Sequence, residues 1–121
     1  MHEYSIVQSL IATCARVARE HGAEKIVKIH VTVGKLSGIE PHFLEQAYQF
    51  FREGTVCEHA DMVLELENIV ARCQRCDRNF QVDGYVFICP ECSSGDMDII
   101  RGKTLQITHV ELTGKRRFID E

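Results

Sequence analysis

No stretch of this sequence approaches the ~20 apolar residues of a membrane span, and no apolar signal-peptide core leads into it, so neither a membrane nor secretion is expected. A basic surplus is missing as well. The formal net charge is −4, against the positive footprint that nonspecific nucleic-acid binding requires. Arg72, Arg75 and Arg78 cluster, but only Phe80 and Tyr85 stand with them as stacking surfaces, and the arginines more simply balance nearby thiolates. There is no nucleophile–base set and no phosphate loop. Ser37 lies in a Gly-flanked loop without the Gly-x-Ser-x-Gly context. An enzyme is therefore the least supported class. What is present, 45% hydrophobic and 26% charged residues in 121, describes one folded domain with room for a small appendage.

Four of the six cysteines stand in two Cys-x-x-Cys pairs, Cys73/Cys76 and Cys89/Cys92, twelve residues apart. The two-residue gap lets both sulfurs of a pair face one ion, and four soft thiolates suit tetrahedral Zn²⁺ at Zn–S about 2.3 Å. Four protein ligands leave no open position, so the zinc reads as structural. Pro90 stiffens the second turn, and Ser93, Ser94 and Gly95 let the chain fold away after it. Two disulfides would suit a small secreted domain, whereas reduced thiolates point to the cytoplasm. Iron would make a rubredoxin-like electron carrier, but that leaves the larger part of the chain unexplained. Cys14 and Cys57 carry no ligand spacing; Cys14 falls on a helix stripe as a buried, inert thiol.

Ile6, Val7, Leu10, Ile11, Cys14, Val17 and Ala18 form that stripe, with Gly22 as its C-cap. Ser5–Gln8 fits a capping box, which leaves the helix start open between residues 3 and 6. Val27, Ile29, Val31 and Val33 alternate with Lys28, His30 and Thr32 as a strand with one buried face, His30 being solvent-exposed. A loop at 34–38 leads to a helix opened by Pro41, with Phe43, Leu44, Ala47, Phe50 and Phe51 as its apolar face and Gly54 as its stop. Met62, Leu64 and Leu66 mark a second strand running toward the knuckles. Leu105 to Leu112 makes a third that changes face near His109, a bulge or bend. His21 reads as a favourable helix-end charge, His42 has no assigned place, and Lys115-Arg116-Arg117 reads as a solvated tail. The fold class is α+β: two helices on one face of a small, mostly antiparallel sheet, with an inserted zinc-ribbon module hanging from two neighbouring strands. The expected units are 1–70 with 99–121, and 71–98.

Met1-His2-Glu3 is the other informative stretch. Met1 is retained, because removal of an initiator methionine generally requires a small second residue. The α-amine, the His2 amide nitrogen and the His2 imidazole can close adjacent chelate rings around one ion, and Glu3 can add its amide nitrogen or its carboxylate. A tetragonal N/O set suits Ni(II) or Cu(II) better than Zn(II), and cytosolic copper is mostly monovalent and prefers sulfur. The first N–H groups of a helix have no intrahelical partner, so deprotonating them breaks no helix hydrogen bond. A dication at the positive helix end is unfavourable by ~0.3–1 kcal/mol, which Glu3 and deprotonated amides offset. Taken alone, a frayed, solvated His2 is the simpler reading.

The combination is more specific. Met1 to Ser5, His21-Gly22-Ala23, the Val33 to Gly38 loop, Gly54-Thr55, Ala60 to Glu65, both knuckles with Pro90, Gly102 and Leu105-Gln106-Ile107 before Glu111 resemble the HypA/HybF nickel-delivery proteins of hydrogenase maturation. The resemblance implies an α/β nickel-binding domain carrying a zinc ribbon, with Ni(II) as cargo held by the Met1 amine, His2 and Glu3. Zn(II) is then structural at Cys73, Cys76, Cys89 and Cys92. It implies a HypB-type GTPase and the [NiFe]-hydrogenase large subunit as partners, with urease a further client of some members. The rival is a zinc-ribbon protein- or nucleic-acid-binding module without nickel transfer. Some family members carry a histidine beside the cysteines. Here those neighbours are Asp77-Arg78 and Ser93-Ser94, against a Cys/His exchange at zinc; Lys103-Thr104 also departs from the family's common Glu.

Overall fold

The apolar stripe folds as α1 (His2–Glu20), burying Val7, Leu10, Ile11, Cys14, Val17 and Ala18. The computed structural model describes residues 2–113 and 115–118, with the backbone alone at residue 2 and at 115–118. Ser5 lies inside α1, so the capping-box pattern does not mark the helix start. At the other end Gly22 takes φ 66°, and Ala23 N–H donates to the Ala18 carbonyl (2.8 Å) while Gly22 N–H donates to Arg19 (3.2 Å). That is a Schellman motif, and it turns the chain into β1 (Ile26–Gly34).

Pro41 opens α2 (Pro41–Phe51), and the Glu40 carboxylate caps it by accepting from His42 N–H at 3.1 Å. β2 (Asp61–Glu67) then pairs with β1 in parallel. A parallel pair cannot close through a hairpin, and α2 is the crossover that closes it. After β3 (Ile69–Cys73), β4 (Asn79–Val82) and β5 (Met97–Arg101), β6 (Leu105–Leu112) returns antiparallel to the other side of β1. β7 (Lys115–Phe118) pairs with β6, so the tail read as solvated supplies an edge strand through its backbone. The main sheet runs β2-β1-β6-β7 and the second β4-β3-β5. Both helices pack on one face of the main sheet, over Ile26, Ile29, Val31, Val33, Ile107, Val110 and Leu112.

Several side-chain assignments change for identifiable reasons. A register shift between Ile26 and Lys28 makes Val27 the extra residue of a bulge; it is exposed and Ile26 takes its place in the core. A second shift leaves Thr108 unpaired between His109 and Ile107, the expected change of face. On α2 the buried positions are Leu44, Ala47 and Tyr48, with Phe51 partly covered, whereas Phe43 and Phe50 are exposed. An 11-residue helix buries one stripe, and Tyr48 wins its place because its hydroxyl donates to the Ala60 carbonyl at 2.7 Å. His30 is half-buried, not solvent-exposed, and its Nε2 lies 3.1 Å from Glu111 Oε2.

The second sheet also attaches differently from the expectation. β2 and β6, from which it is suspended, are not neighbours but flank β1 on both sides. The turn after β1 fastens it: Lys35 N–H donates to Glu67, Leu36 N–H to Gly102 and Gly34 N–H to Thr104, at 2.8–3.0 Å. Gly34, the last residue of β1, lies with its Cα against the Gly102 backbone, so close that a Cβ would overlap the Gly102 carbonyl. Gly34→Ala should therefore destabilise the chain by about 1–3 kcal/mol, the usual cost of overpacking. Gly95→Ala, whose Cβ would meet nothing nearer than 3.9 Å, should stay within about 0.5 kcal/mol of the parent. Urea unfolding of both variants checks this; equal midpoints would overturn the role given to the joint.

Candidate metal centre

Two knuckles with one backbone plan build the cysteine cluster. In the first, Asp77 N–H donates to the Cys73 carbonyl and Cys73 N–H to the Arg78 carbonyl, at 2.9 and 2.8 Å. In the second, Ser93 N–H donates to Cys89 and Cys89 N–H to Ser94, both at 2.9 Å. The fifth residue of each, Asp77 and Ser93, takes φ near +65° (65° and 64°) to bring the chain round. The Sγ atoms of Cys73 and Cys92 stand 3.5 Å apart and those of Cys76 and Cys89 3.6 Å apart. All four converge within 4.8 Å of one another. A tetrahedron with Zn–S about 2.3 Å has edges of about 3.8 Å, so this donor set fits Zn²⁺ with small adjustment. The cluster fits a zinc ribbon, as its spacing predicted.

The surrounding charges are arranged otherwise than the sequence implied. Arg72 ion-pairs with Asp77 (2.8 Å) and Asp98 (3.3 Å), tying the first knuckle to β5 instead of neutralising sulfur. Gln74 donates to Asp98 at 3.0 Å, and that bond, then Arg72, holds the Asp98 carboxyl below its usual range.

The thiols differ in acidity. The backbone amides of Cys76 and Arg75, against the cost of desolvation, bring Cys73 down to about 6. The Arg78 amide favours the Cys76 thiolate, but desolvation and hydrogen bonding with the other three sulfurs outweigh it and push that thiol up to about 12. Cys92 is likewise raised, mainly by Cys73, despite the Ser94 amide. Cys14 and Cys57 are both fully buried in the main core, away from the knuckles.

At the other end of the chain, Met1 and the His2 imidazole lie outside the described residues, and what bears on them is the backbone. Helix α1 begins at His2, so the N–H groups of its first turn have no intrahelical acceptors. Glu3 is positioned by Oε2, which accepts from the Glu40 amide at 3.3 Å and so links the first turn of α1 to the cap of α2. Tyr4 packs edge-on against Phe51, ring centroids 5.4 Å apart. Beside them Phe43, Gln46 and Phe50 complete a groove with Glu3 and Tyr4. His42, exposed on the first turn of α2, makes its backbone bond to Glu40 within the same corner.

Residues 1–112 match the family model HypA, described as hydrogenase/urease nickel incorporation, metallochaperone. The chain belongs to the HypA family. A hydrogenase maturation factor HypA from Aquifex aeolicus is 40% identical over 112 residues, covering 93% of this chain and 97% of the relative. The solution structure of the Ni metallochaperone HypA from Helicobacter pylori superposes with a TM-score of 0.72 at 29% identity, over 91% of this chain and 96% of that one. A second solution structure of a HypA protein gives 0.75 at 30% identity, over 93% and 97%. HypA proteins are nickel metallochaperones of hydrogenase maturation, and the α+β architecture read from the sequence is the one their structures share. No helix among the described residues is long and apolar enough to cross a membrane.

The unequal thiols give a measurable consequence. Near pH 7 Cys73 is already a thiolate, while Cys76 and Cys92 still hold protons that a cation must displace. Zinc loading is expected to release two or more protons per ion, and affinity to fall as pH drops. Calorimetry in buffers of different ionisation enthalpy counts the protons; release of none would refute the ordering.

Proposed function

We propose that this chain carries Ni(II) at its amino terminus and delivers it to the large subunit of [NiFe]-hydrogenase, while Zn(II) stays bound to Cys73, Cys76, Cys89 and Cys92. The observation that carries the reading is the start of α1 at His2, which leaves the amides of His2 and Glu3 without helical acceptors. The Met1 amine, the His2 amide and imidazole, and the Glu3 amide then make up the tetragonal set that Ni(II) prefers. The Glu3 amide is favoured over its carboxylate because Oε2 is engaged by the Glu40 amide. That same bond ties Glu3 to the cap of α2, so the proposed chelate would start from a residue anchored where the two helices meet.

The chain divides by role into residues 1–70 with 99–121, which hold the nickel end, and 71–98, which hold the zinc. A GTPase of the HypB type is the partner in delivery, the setting is the cytoplasm, and urease is a second client. The chain works as a carrier and not as a catalyst. The printed description of the family, which names both hydrogenase and urease nickel incorporation, supports this assignment.

Two measurements on untagged protein test the site. His2→Ala should abolish tight Ni(II) binding with zinc content unchanged, as read by calorimetry and metal analysis. Acetylating the Met1 amine should do the same. Because amine, amide and imidazole all surrender protons to the metal, nickel affinity should fall steadily as pH is lowered. Unchanged affinity in the His2→Ala protein would sink the assignment.

A further inference from the structure

The face of the main sheet turned away from the helices carries a second group of metal-type donors. His30 on β1 and His109 on β6 are direct cross-strand partners, and Glu111 lies two residues along β6 from His109, on the same side of the pleat. Their rings stack with centroids 3.7 Å apart and planes 23° from parallel. His30 Nε2 lies 3.1 Å from Glu111 Oε2, and one donor atom from each of the three falls within 4.8 Å of the others. The three side chains are half-buried, with 21% of His30 and 26% of Glu111 exposed, so the group is partly dehydrated yet still in touch with solvent.

We infer that His30, His109 and Glu111 form a second, exchangeable site for a borderline first-row dication such as Ni(II), separate from both the amino terminus and the cysteines. Two imidazoles and one carboxylate are the donors such ions take, and three protein ligands leave positions open for water or an incoming donor. At metal–ligand distances of about 2.1 Å the donor atoms must close to about 3–3.5 Å, a movement within reach of side-chain rotation on fixed strands. A neighbouring group supports this. Thr32, one step along the same face of β1, has a buried Oγ1 with no hydrogen-bond partner among the described residues, where a metal-bound water would find an acceptor or donor. Lys28, in register with Glu111, opposes a cation and keeps the site weaker than a closed cage. The ordinary alternative is a His–Glu ion pair that merely fills the sheet face.

The test uses zinc-loaded, untagged protein and NiCl₂ or CoCl₂ as the sole added metal. The His2→Ala protein should retain one weaker nickel equivalent by equilibrium dialysis. Adding His30→Gln or Glu111→Gln should weaken that residual binding at least tenfold while zinc content and unfolding midpoint stay unchanged. Cobalt should broaden the ring resonances of His30 and His109 selectively. If His2→Ala leaves no bound nickel, or if His30→Gln and Glu111→Gln leave the residual binding unaltered, the second site falls while the amino-terminal one stands. If all nickel survives His2→Ala and is lost in the His30 variant, the amino-terminal reading falls and this one stands.

Discussion

The second sheet has almost no core of its own. Ile69, Ala71 and Val82 are its buried apolar side chains, helped by the partly covered Phe80, Phe87, Met97 and Ile99. Ordering a residue costs roughly 1–2 kcal/mol of backbone entropy, and so small a cluster cannot offset that over three strands and two knuckles. Sulfur–metal bonding must supply the difference, as it does for zinc modules generally. The four sulfurs stand near tetrahedral spacing because each knuckle fixes its cysteines with main-chain hydrogen bonds. A zinc ion held there and the backbone would therefore hold one another in place.

What this rigid module is fastened to matters as much. Both of its connections, from β2 and into β6, pass the turn after β1, where Lys35 and Leu36 bond to Glu67 and Gly102 and the two glycine backbones touch. Tyr85 reaches from the module toward the Lys35 carbonyl at 3.4 Å. The cysteine module is thus fastened to the end of β1, a strand under both helices. The first turn of α1 is in turn tied to α2 through Glu3 and Tyr4. The turn after β1 and the first turn of α1 thus belong to one packed body built on β1 and the two helices.

Periodicity disclosed the local elements and could not disclose their pairing. The α1 stripe, the Gly22 cap, Pro41 at the head of α2 and both knuckles are written in neighbouring residues, and each formed where its pattern placed it. Val27 was misplaced because a bulge depends on the partner strand, and Phe43 and Phe50 because apolar residues flanking a short helix look the same as those facing the core. His30 was read as solvated for a similar reason. That His109 would stand directly across from it follows from the register of residues 79 positions apart, which no local pattern encodes. The amino-terminal chelate was legible as chemistry from Met1-His2-Glu3, but its specificity came from resemblance over the whole chain.

A carrier and a scaffold make opposite demands on a metal site, and the two proposed sites would meet them through donor type and the number of open positions. Four sulfur ligands, with Cys73 and Cys89 buried and Cys92 exposed, would leave an ion no vacant position through which another ligand can begin exchange. The chelate proposed at Met1-His2-Glu3 draws on consecutive residues, so a recipient's ligands could replace its donors one at a time. Irving–Williams preferences favour nickel over the lighter dications at such a nitrogen set without requiring a cage. Selectivity in such a carrier would come from donor type and geometry, and release from stepwise replacement of its donors.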